Sequence, residues 1–436
     1  MVIALALGLD WAWAARPRDT DVAITGGSYG ATCHAIAGAE SQCAVVLAAI
    51  DEAWLVQVEQ LGFNAPLPDG GLGVDDGLDV YLSHFETGGA GGAYVTCDGQ
   101  GADCTDFQAG DGLASTPSFI VIDPELDDAT LRRYCHHEFN HVLQYATDFE
   151  EPFLDLWEGT ATAAETWTDP TAMLDQPPLL DYQNYPWVSA VLQDGYWLDD
   201  EYGIWGYYEY GAVLWVMWMD QRWGDGNGSV GPALWAAVAN DPGENEPDLL
   251  DAWDSVAGSW REDVLVFAAD RGTFGTDQEP AWLTAFGGAP EVPVTQLGSA
   301  QSYIDVGPLY PLGMQYIDVT FSENSAGSVG VQSDTDVRLV PVAIPEGATA
   351  SSDSDSKIVS VDGGGTYRFA AVYVPGKAFD ADTVLQSQTA GLARAIAYPR
   401  QPPVTPPPDC ASSVCGGLAV SLVAPVAYGV ARRRRR

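Results

Sequence analysis

The chain has 436 residues, of which 47% are hydrophobic and 11% are aromatic. A polypeptide of this length and composition has room for two or three domains with their own cores and is too apolar for an intrinsically disordered protein. Its 61 acidic side chains against 18 basic ones leave a formal net charge of −43. Such a surface repels nucleic acid phosphates and anionic lipid headgroups, so we do not expect a nucleic acid partner.

The amino-terminal segment has the pattern of a signal-peptide remnant. Residues 2–9 are apolar, and Ala12-Trp13-Ala14 offers a small-residue cleavage pattern of the A-x-A kind. Asp10 interrupts the apolar run, and a buried amino-terminal strand is the alternative reading. We expect residues 1–15 to be the signal remnant, which would place the rest of the chain outside the cytoplasm.

The next predicted elements are one helix and three short strands. The helix spans about residues 39–61, and the strands lie near residues 78–85, 93–97 and 118–122. The last strand is predicted to be the edge strand that precedes the next helix. An extended peptide could add to such an edge as a further strand.

An acidic, glycine-rich segment leads into the first of these strands. Residues 69–79 read D-G-G-L-G-V-D-D-G-L-D and offer oxygen ligands suitable for Ca²⁺. The spacing is not that of an EF-hand, and a turn-rich loop without an ion is the favoured alternative.

The cysteines indicate an oxidising compartment. Cys97 and Cys104 bracket a glycine-rich hexapeptide and are predicted to form a disulfide. Cys33 and Cys43 are a second candidate pair, and Cys135 is left over. Because no C-x-x-C motif is present, the cysteines favour disulfides over a cysteine-bound metal.

The strongest motif in the chain is H-E-F-N-H at residues 137–141, in a protein with five histidines in all. The surrounding apolar residues have helical spacing, and Asp127 or Asp128 can cap the start of the helix. On a helix, His137 and His141 lie one turn apart on one face and can bind one cation together. Glu138 lies about 100° round the helix, where it would contact a metal-bound water rather than the metal.

A catalytic zinc site needs a third protein ligand and one open position. The next acidic residues along the chain are the candidates for this third ligand. Asp148, Glu150 and Glu151 lie in a polar stretch that is predicted to be a loop, and Asp155 and Glu158 follow it. Glu158 begins a second helical run of small residues that can pack tightly against the first helix. Glu165 lies two turns later on the same face, where its carboxylate could hold a ligand histidine by the other ring nitrogen.

These two segments together resemble the gluzincin metallopeptidases. The shared features are H-E-F-N-H and, farther on, W-E-G-T-A-x-x-x-E at residues 157–165. The resemblance covers about residues 118–224. It implies that His137, His141 and Glu158 bind one Zn²⁺, that Glu138 is the general base, and that Glu165 supports a ligand histidine.

A third segment, Y-E-Y-G at residues 208–211, is similar to the Y-E-x-G segment of some gluzincins. That similarity implies that Tyr208 donates a hydrogen bond to the oxyanion, with Tyr207 and Tyr210 as close alternatives. The G-x-M-E-N motif of the aminopeptidase members is missing from the sequence, which favours an endopeptidase.

The carboxy-terminal part of the chain changes character twice. Beyond residue 290 short β-type runs with Gly, Ser and Asp turns predict a β-sandwich-like domain at residues 291–400. A proline-rich linker follows at residues 401–409, and then come Cys410, Cys415, an uncharged apolar run at 416–431 and five arginines. This tail resembles the myxobacterial C-terminal sorting signal, which implies export, processing near one of the two cysteines and display at the cell surface. A plain single-span membrane anchor at residues 410–436 is the alternative.

These observations predict an α+β protein. Residues 16–290 are predicted to form a zincin-like catalytic domain, with a small mixed sheet, an active-site helix and a helical subdomain. The predicted function is that of an exported, surface-anchored, zinc-dependent endopeptidase acting on peptides or proteins. The alternative from another class is a non-catalytic surface adhesion protein with a structural zinc site, and hydrolysis of a non-peptide bond is a third reading.

Overall fold

A computed structural model shows a mixed α+β protein. It describes residues 16–84, 92–97, 104–108, 110–191, 208–244, 246–297, 303–322, 326–352, 357–376, 379 and 391–399. All of these belong to one compact unit that ends at Pro399. The predicted signal remnant, the proline-rich linker, the carboxy-terminal anchor and Tyr207 lie outside the described residues.

The first sheet has five strands in the order β1-β2-β3-β5-β4. The strands are β1 (Val22–Gly26), β2 (Ala31–Ala35), β3 (Asp79–Leu82), β4 (Ala93–Cys97) and β5 (Ser118–Ile122). Strands β2, β3 and β5 run parallel, whereas β1 and β4 pair antiparallel with their neighbours. The sequence predicted β3, β4 and β5 and missed β1 and β2.

The prediction that the strand over residues 118–122 forms the sheet edge is wrong. Strand β5 lies between β3 and β4, and all five of its residues, S-F-I-V-I, are buried. A short continuous apolar run of this kind needs a neighbour on each side and layers on both faces. The edge on this side of the sheet is β4, which has both buried and half-buried residues.

The predicted first helix is present as α1 (Glu40–Leu61). It begins with a 3₁₀ turn, continues as an α-helix over Cys43–Ala53, and widens to π-type turns over Trp54–Leu61. Gly62 ends it with a φ of 90°, a conformation that suits glycine. Within the described residues, α1 is the one helix long and apolar enough to cross a membrane, judged by length and composition alone.

Helix α1 packs on β2 and on the next helix, α2, and contributes its apolar face to the main core. The remaining helices form the middle of the chain. They are α2 (Asp128–Tyr145), α3 (Leu154–Thr168), α4 (Gln176–Asn184), α5 (Tyr208–Gly211), α6 (Val213–Trp223), α7 (Val230–Val238), α8 (Leu249–Ala257), α9 (Trp260–Arg271) and α10 (Ala281–Ala285).

The carboxy-terminal strands form two further sheets that face each other across a second apolar core. The strands are β6 (Val294–Leu297), β7 (Tyr303–Leu309), β8 (Met314–Phe321), β9 (Ala326–Ser333), β10 (Val337–Ala343), β11 (Thr349–Ser352), β12 (Ile358–Asp362), β13 (Gly365–Tyr373) and β14 (Gly391–Pro399). One sheet has the order β10-β13-β8-β6 and the other β11-β12-β9-β14-β7. The short β-type runs that the sequence shows beyond residue 290 lie at 314–321, 328–331, 337–342, 357–361 and 366–374, and each is confirmed as a strand whose ends agree within two residues.

Strand β13 contributes side chains to two apolar cores, because successive side chains of a strand point to opposite faces of the sheet. Tyr367 and Phe369 point into the layer between the two sheets, whereas Ala370 and Val372 join the core of the helical region. The hydroxyl of Tyr316 on β8 donates to the backbone carbonyl of Ala268 on α9, 2.9 Å away. The sandwich is therefore packed directly onto the helices.

Two disulfides are present among the described residues, and both match the sequence predictions. Cys33 pairs with Cys43, joining β2 to α1, and Cys97 pairs with Cys104 at the end of β4. Cys135 is a free thiol that is buried on α2. The second disulfide closes a loop at the end of the edge strand β4.

Candidate metal centre

Three predicted ligand side chains come together between α2 and α3. The Nε2 atoms of His137 and His141 are 3.1 Å apart. A carboxylate oxygen of Glu158 lies 3.2 Å from the first nitrogen and 3.5 Å from the second. All three side chains are buried, and their donor atoms form a group that could hold a metal ion.

The spacing of these atoms fits one small cation. Around a tetrahedral ion with metal–ligand bonds of 2.0–2.1 Å, neighbouring ligand atoms stand about 3.3 Å apart. The three measured separations lie on either side of that value. The two imidazoles and the carboxylate therefore already have the mutual distances that a shared tetrahedral ion requires.

The close approach of α3 to its neighbours positions Glu158. Gly159, the next residue, would bring an added Cβ to 3.1 Å from Val216 and 3.3 Å from the backbone of Ala212. A small residue is therefore needed where α3 crosses α6.

The helix that carries the two histidines, α2, begins with a side-chain cap. The Asp127 side chain accepts hydrogen bonds from the backbone amides of Ala129 and Thr130.

The Nδ1 atom of His137, which faces away from the other ligand atoms, is held by a chain of contacts through Glu165 and Arg133 to Asp175. Its Nδ1 lies 2.9 Å from a carboxylate oxygen of Glu165, as the sequence predicted. The other oxygen of Glu165 accepts from Arg133, whose remaining nitrogens bond both oxygens of Asp175 at 2.9 and 2.7 Å. Because a carboxylate can only accept, a proton of His137 is held on Nδ1, and Nε2 faces the other two donor atoms of the group. The sequence reading missed Arg133, although it lies one turn before His137.

The outer ring nitrogen of His141 is held by an amide instead. Its Nδ1 lies 2.5 Å from the side-chain oxygen of Gln144, one turn later on the same helix. The sequence reading missed Gln144 as well. The signal that could have found it is the i to i+3 spacing from a ligand histidine, which places the two side chains side by side on a helix.

Glu138, the glutamate of the H-E-F-N-H motif, lies next to the grouped ligand atoms. Its side chain is buried beside the two histidines, and its Oε2 atom has no hydrogen-bond partner within the described residues. A buried carboxylate oxygen without a partner is costly, and a water or substrate group in the site would satisfy it.

The charges of the site favour a bound cation. Burial by itself lowers the pKa of His137, but hydrogen bonds to Glu158 and Glu165 outweigh it and raise that pKa. Burial raises the pKa of Glu158, and the neighbouring His141 and His137 more than reverse this, so the pKa of Glu158 is held below its ordinary value. Burial raises the pKa of Glu138. Several carboxylates thus compete for positive charge in one buried pocket.

The structure argues against Tyr208 as the residue that faces the site. The Tyr208 hydroxyl donates to the backbone carbonyl of Ser189 at 2.8 Å, and its ring packs against Tyr182. Its neighbour Tyr210 stacks on His137 with ring centroids 5.7 Å apart and planes 19° from parallel. Residues two apart on one helical turn point to different sides, so only one of the two can lie over the ligands.

A glycine explains why the turn carrying Tyr210 sits where it does. A Cβ added to Gly211 would lie 2.4 Å from the Cβ of Tyr182 and 2.5 Å from the carbonyl oxygen of Pro178. Helix α5 therefore rests backbone against α4, and no larger residue fits at the end of Y-E-Y-G.

In the acidic loop at residues 69–79, for which the sequence favours a turn-rich loop without an ion over a Ca²⁺ site, two carboxylates pair with an arginine of the same chain. The guanidinium of Arg16 pairs with the carboxylates of Asp69 and Asp79, and Asp79 also contacts the ring of His34 at 2.7 Å. Within the described ranges, none of the loop carboxylates belongs to a group spaced for a metal ion. A separate acidic group with such spacing consists of Glu246, Asp248 and Asp251, of which the first and last are exposed.

Comparison with known proteins adds no assignment. No protein-family model matches the chain, and no curated protein matches it either. The site is characterised by its own geometry.

Proposed function

We propose that this protein is a zinc-dependent endopeptidase of the gluzincin type, with a zincin-like catalytic domain. The observation that carries the proposal is the buried group of His137, His141 and Glu158, with an oxygen of Glu138 beside it that has no hydrogen-bond partner in the described part of the chain. The donor set of two imidazoles and one carboxylate suits zinc.

The number of protein ligands favours a catalytic site over a structural one. Structural zinc sites are closed by four protein ligands, whereas catalytic sites have three and keep one position open. Among the described residues, the group spaced for a metal holds three ligands. A site that only joined α2 to α3 would also have no use for Glu138.

The proposed chemistry assigns a proton transfer to Glu138. Bound zinc would supply Lewis acidity, activating a water molecule and polarising the scissile carbonyl. Glu138 takes the proton of the attacking water and delivers it to the leaving amine. Its raised pKa, caused by burial, moves the carboxylate towards the range in which it can both accept and return a proton.

The edge strand β4 supports a peptide as the substrate. It pairs on one side with β5, and within the described residues its other side has no strand partner. Both strands pack against α2, which carries His137 and Glu138. An extended peptide added along β4 would have its backbone hydrogen-bonded and its scissile bond near the site. Binding by an edge strand needs no chain end, which favours an endopeptidase.

Tyr210 takes over the proposed role of oxyanion donor. A neutral phenol next to the ligands can donate to the oxyanion as negative charge develops. We expect Tyr210→Phe to lower kcat by about 10²-fold, with little effect on zinc content. Steady-state kinetics on a peptide substrate measures this.

Tyr208→Phe is the matched control, because the same atom is removed from the same helical turn. Its hydroxyl is bonded to Ser189, so we expect lower stability and an unchanged kcat. If Tyr208→Phe reduces kcat and Tyr210→Phe does not, Tyr208 is the donor after all.

We also propose that the protein is exported and displayed at the cell surface. Two disulfides in the described part of the chain support an oxidising compartment. The acidic net charge is compatible with peptide or protein substrates and disfavours nucleic acids.

The direct test uses the full wild-type chain. We expect one zinc per chain by elemental analysis and cleavage of an unfolded protein such as casein. Cleavage should stop on treatment with a zinc chelator and return when zinc is added back. A chain that binds zinc but cleaves nothing would favour the adhesion protein with a structural zinc site.

A further inference from the structure

Gln144 lies outside the proposed ligand set and contacts it directly, through the Nδ1 atom of His141. The backbone carbonyl of Trp157 can only accept a hydrogen bond, so it determines which end of the Gln144 side-chain amide is the nitrogen. The side-chain nitrogen lies 3.0 Å from the backbone carbonyl oxygen of Trp157, and the same nitrogen lies 2.7 Å from the hydroxyl of Thr160. The side-chain oxygen therefore has to face His141.

This orientation determines the tautomer of His141. An amide oxygen can only accept, so the ring proton must be on Nδ1. The Nε2 atom then carries a lone pair that points towards the Nε2 of His137, 3.1 Å away. Two unprotonated nitrogens at that distance repel each other unless a proton or a metal ion lies between them, so the hydrogen bond from Gln144 leaves Nε2 of His141 available to a metal.

A buried polar network holds Gln144 in turn. Its nitrogen also lies 2.8 Å from the side-chain oxygen of Asn140, whose own nitrogen donates to Gln57 on α1 at 3.1 Å. The nitrogen of Gln57 donates to the backbone carbonyl of His136 at 2.9 Å. The side chains of Gln57, Asn140 and Gln144 are fully buried. A network of this kind rigidifies its members when every one is satisfied.

The two ligand histidines are thus held by different chemistry. His137 is oriented by the carboxylate of Glu165, and His141 by the neutral amide of Gln144. A neutral acceptor orients the ring without adding a fourth negative charge to a pocket that already contains Glu138, Glu158 and Glu165.

We propose that Gln144 is a positioning residue for the metal: it holds the proton of His141 on Nδ1 and presents Nε2 to the ion. This inference rests on the proposed function for the identity of the ion, but its test reads metal binding rather than cleavage. Residues that orient metal ligands typically change metal affinity by about 10- to 100-fold when they are replaced.

Two variants separate orientation of His141 from general packing. Gln144→Leu removes both the acceptor for His141 and the donor to Trp157. Gln144→Glu keeps an acceptor for His141 and loses the donor. We expect Gln144→Leu to bind Zn²⁺ about 10- to 100-fold more weakly, by competition with a chelator, and Gln144→Glu to stay within about tenfold of wild type.

Gln183→Leu is the matched control. Gln183 is another fully buried glutamine, bonded to Arg271 and to the carbonyl of Pro290 away from the site. We expect it to lower the melting temperature without changing zinc affinity. If Gln144→Leu binds zinc as wild type does, or if Gln144→Glu loses as much affinity as Gln144→Leu, the positioning role is refuted.

A second measurement uses the unmodified sequence and does not depend on how the variants fold. The chain has five histidines, so selective ¹⁵N labelling of histidine gives few signals. Long-range ¹H–¹⁵N spectra of the zinc-loaded protein should show His141 protonated on Nδ1. A proton on Nε2 would overturn the inference. Failure of wild type to cleave peptides would refute the peptidase proposal alone, since the zinc comparison still decides the role of Gln144.

Discussion

Replacing Glu138 by glutamine is expected to reduce kcat/KM for peptide cleavage by about 10²- to 10⁴-fold, the range that general acid–base catalysis contributes. The amide cannot take a proton from water, while its size and position stay almost the same. Glu138 is not one of the grouped ligand side chains, so the variant should keep its zinc. Elemental analysis and steady-state kinetics on the same preparation measure both quantities.

Glu52→Gln is the control for this change. Glu52 lies on α1, pairs with Arg132 and sits 3.4 Å from the ring of His136, so it shares the neighbourhood but not the metal group. We expect its kinetics to match wild type. Full cleavage by Glu138→Gln, with zinc retained, would show that another group moves the proton.

The second large effect is expected for Glu158→Ala. The change removes one of three ligands and leaves two buried histidines without their carboxylate partner. Replacing a residue that only orients a ligand lowers metal affinity by about 10- to 100-fold. Removing a ligand itself should lower zinc affinity by more than this, and cleavage should be lost with the zinc. Chelator competition measures the affinity.

Glu165→Gln gives the graded comparison for Glu158→Ala. Its oxygen contacts Nδ1 of His137 rather than the ligand group, so we expect zinc binding weakened by about 10- to 100-fold but still measurable. A Glu158→Ala protein that holds zinc as tightly as Glu165→Gln would remove Glu158 from the ligand set.

The strands and helices nearest the site were largely predictable, because each has a strong local signal. Asp127 caps α2 through its own side chain, and the strand at residues 118–122 is a continuous apolar run. That same run was read as an edge strand, which is wrong. Pairing on both sides depends on β4, which comes earlier in the chain and folds back antiparallel, and no local pattern reports that.

The sequence named Tyr208 with Tyr210 as a close alternative, and it could not separate the two for a related reason. Tyr208 and Tyr210 are equivalent in composition and spacing. What separates them is the contact between α5 and α4, where Gly211 lies against Tyr182 and Pro178. That contact rotates the turn so that one ring faces His137 and the other is buried beside Tyr182.

The sequence by itself determined the candidate ligand types and their order: two histidines one helical turn apart, a glutamate between them, and, through the family resemblance, an acidic residue on a following helix. Local spacing is sufficient for the histidine pair because helix geometry places residues four apart on one face. Only the tertiary structure decided which further side chains support these residues. The contact of Arg133 with Glu165, and the network that runs from His141 through Gln144 and Asn140 to Gln57, join α1, α2 and α3. Such contacts depend on how separate helices pack, because hydrogen bonds between distant segments leave no period in the sequence.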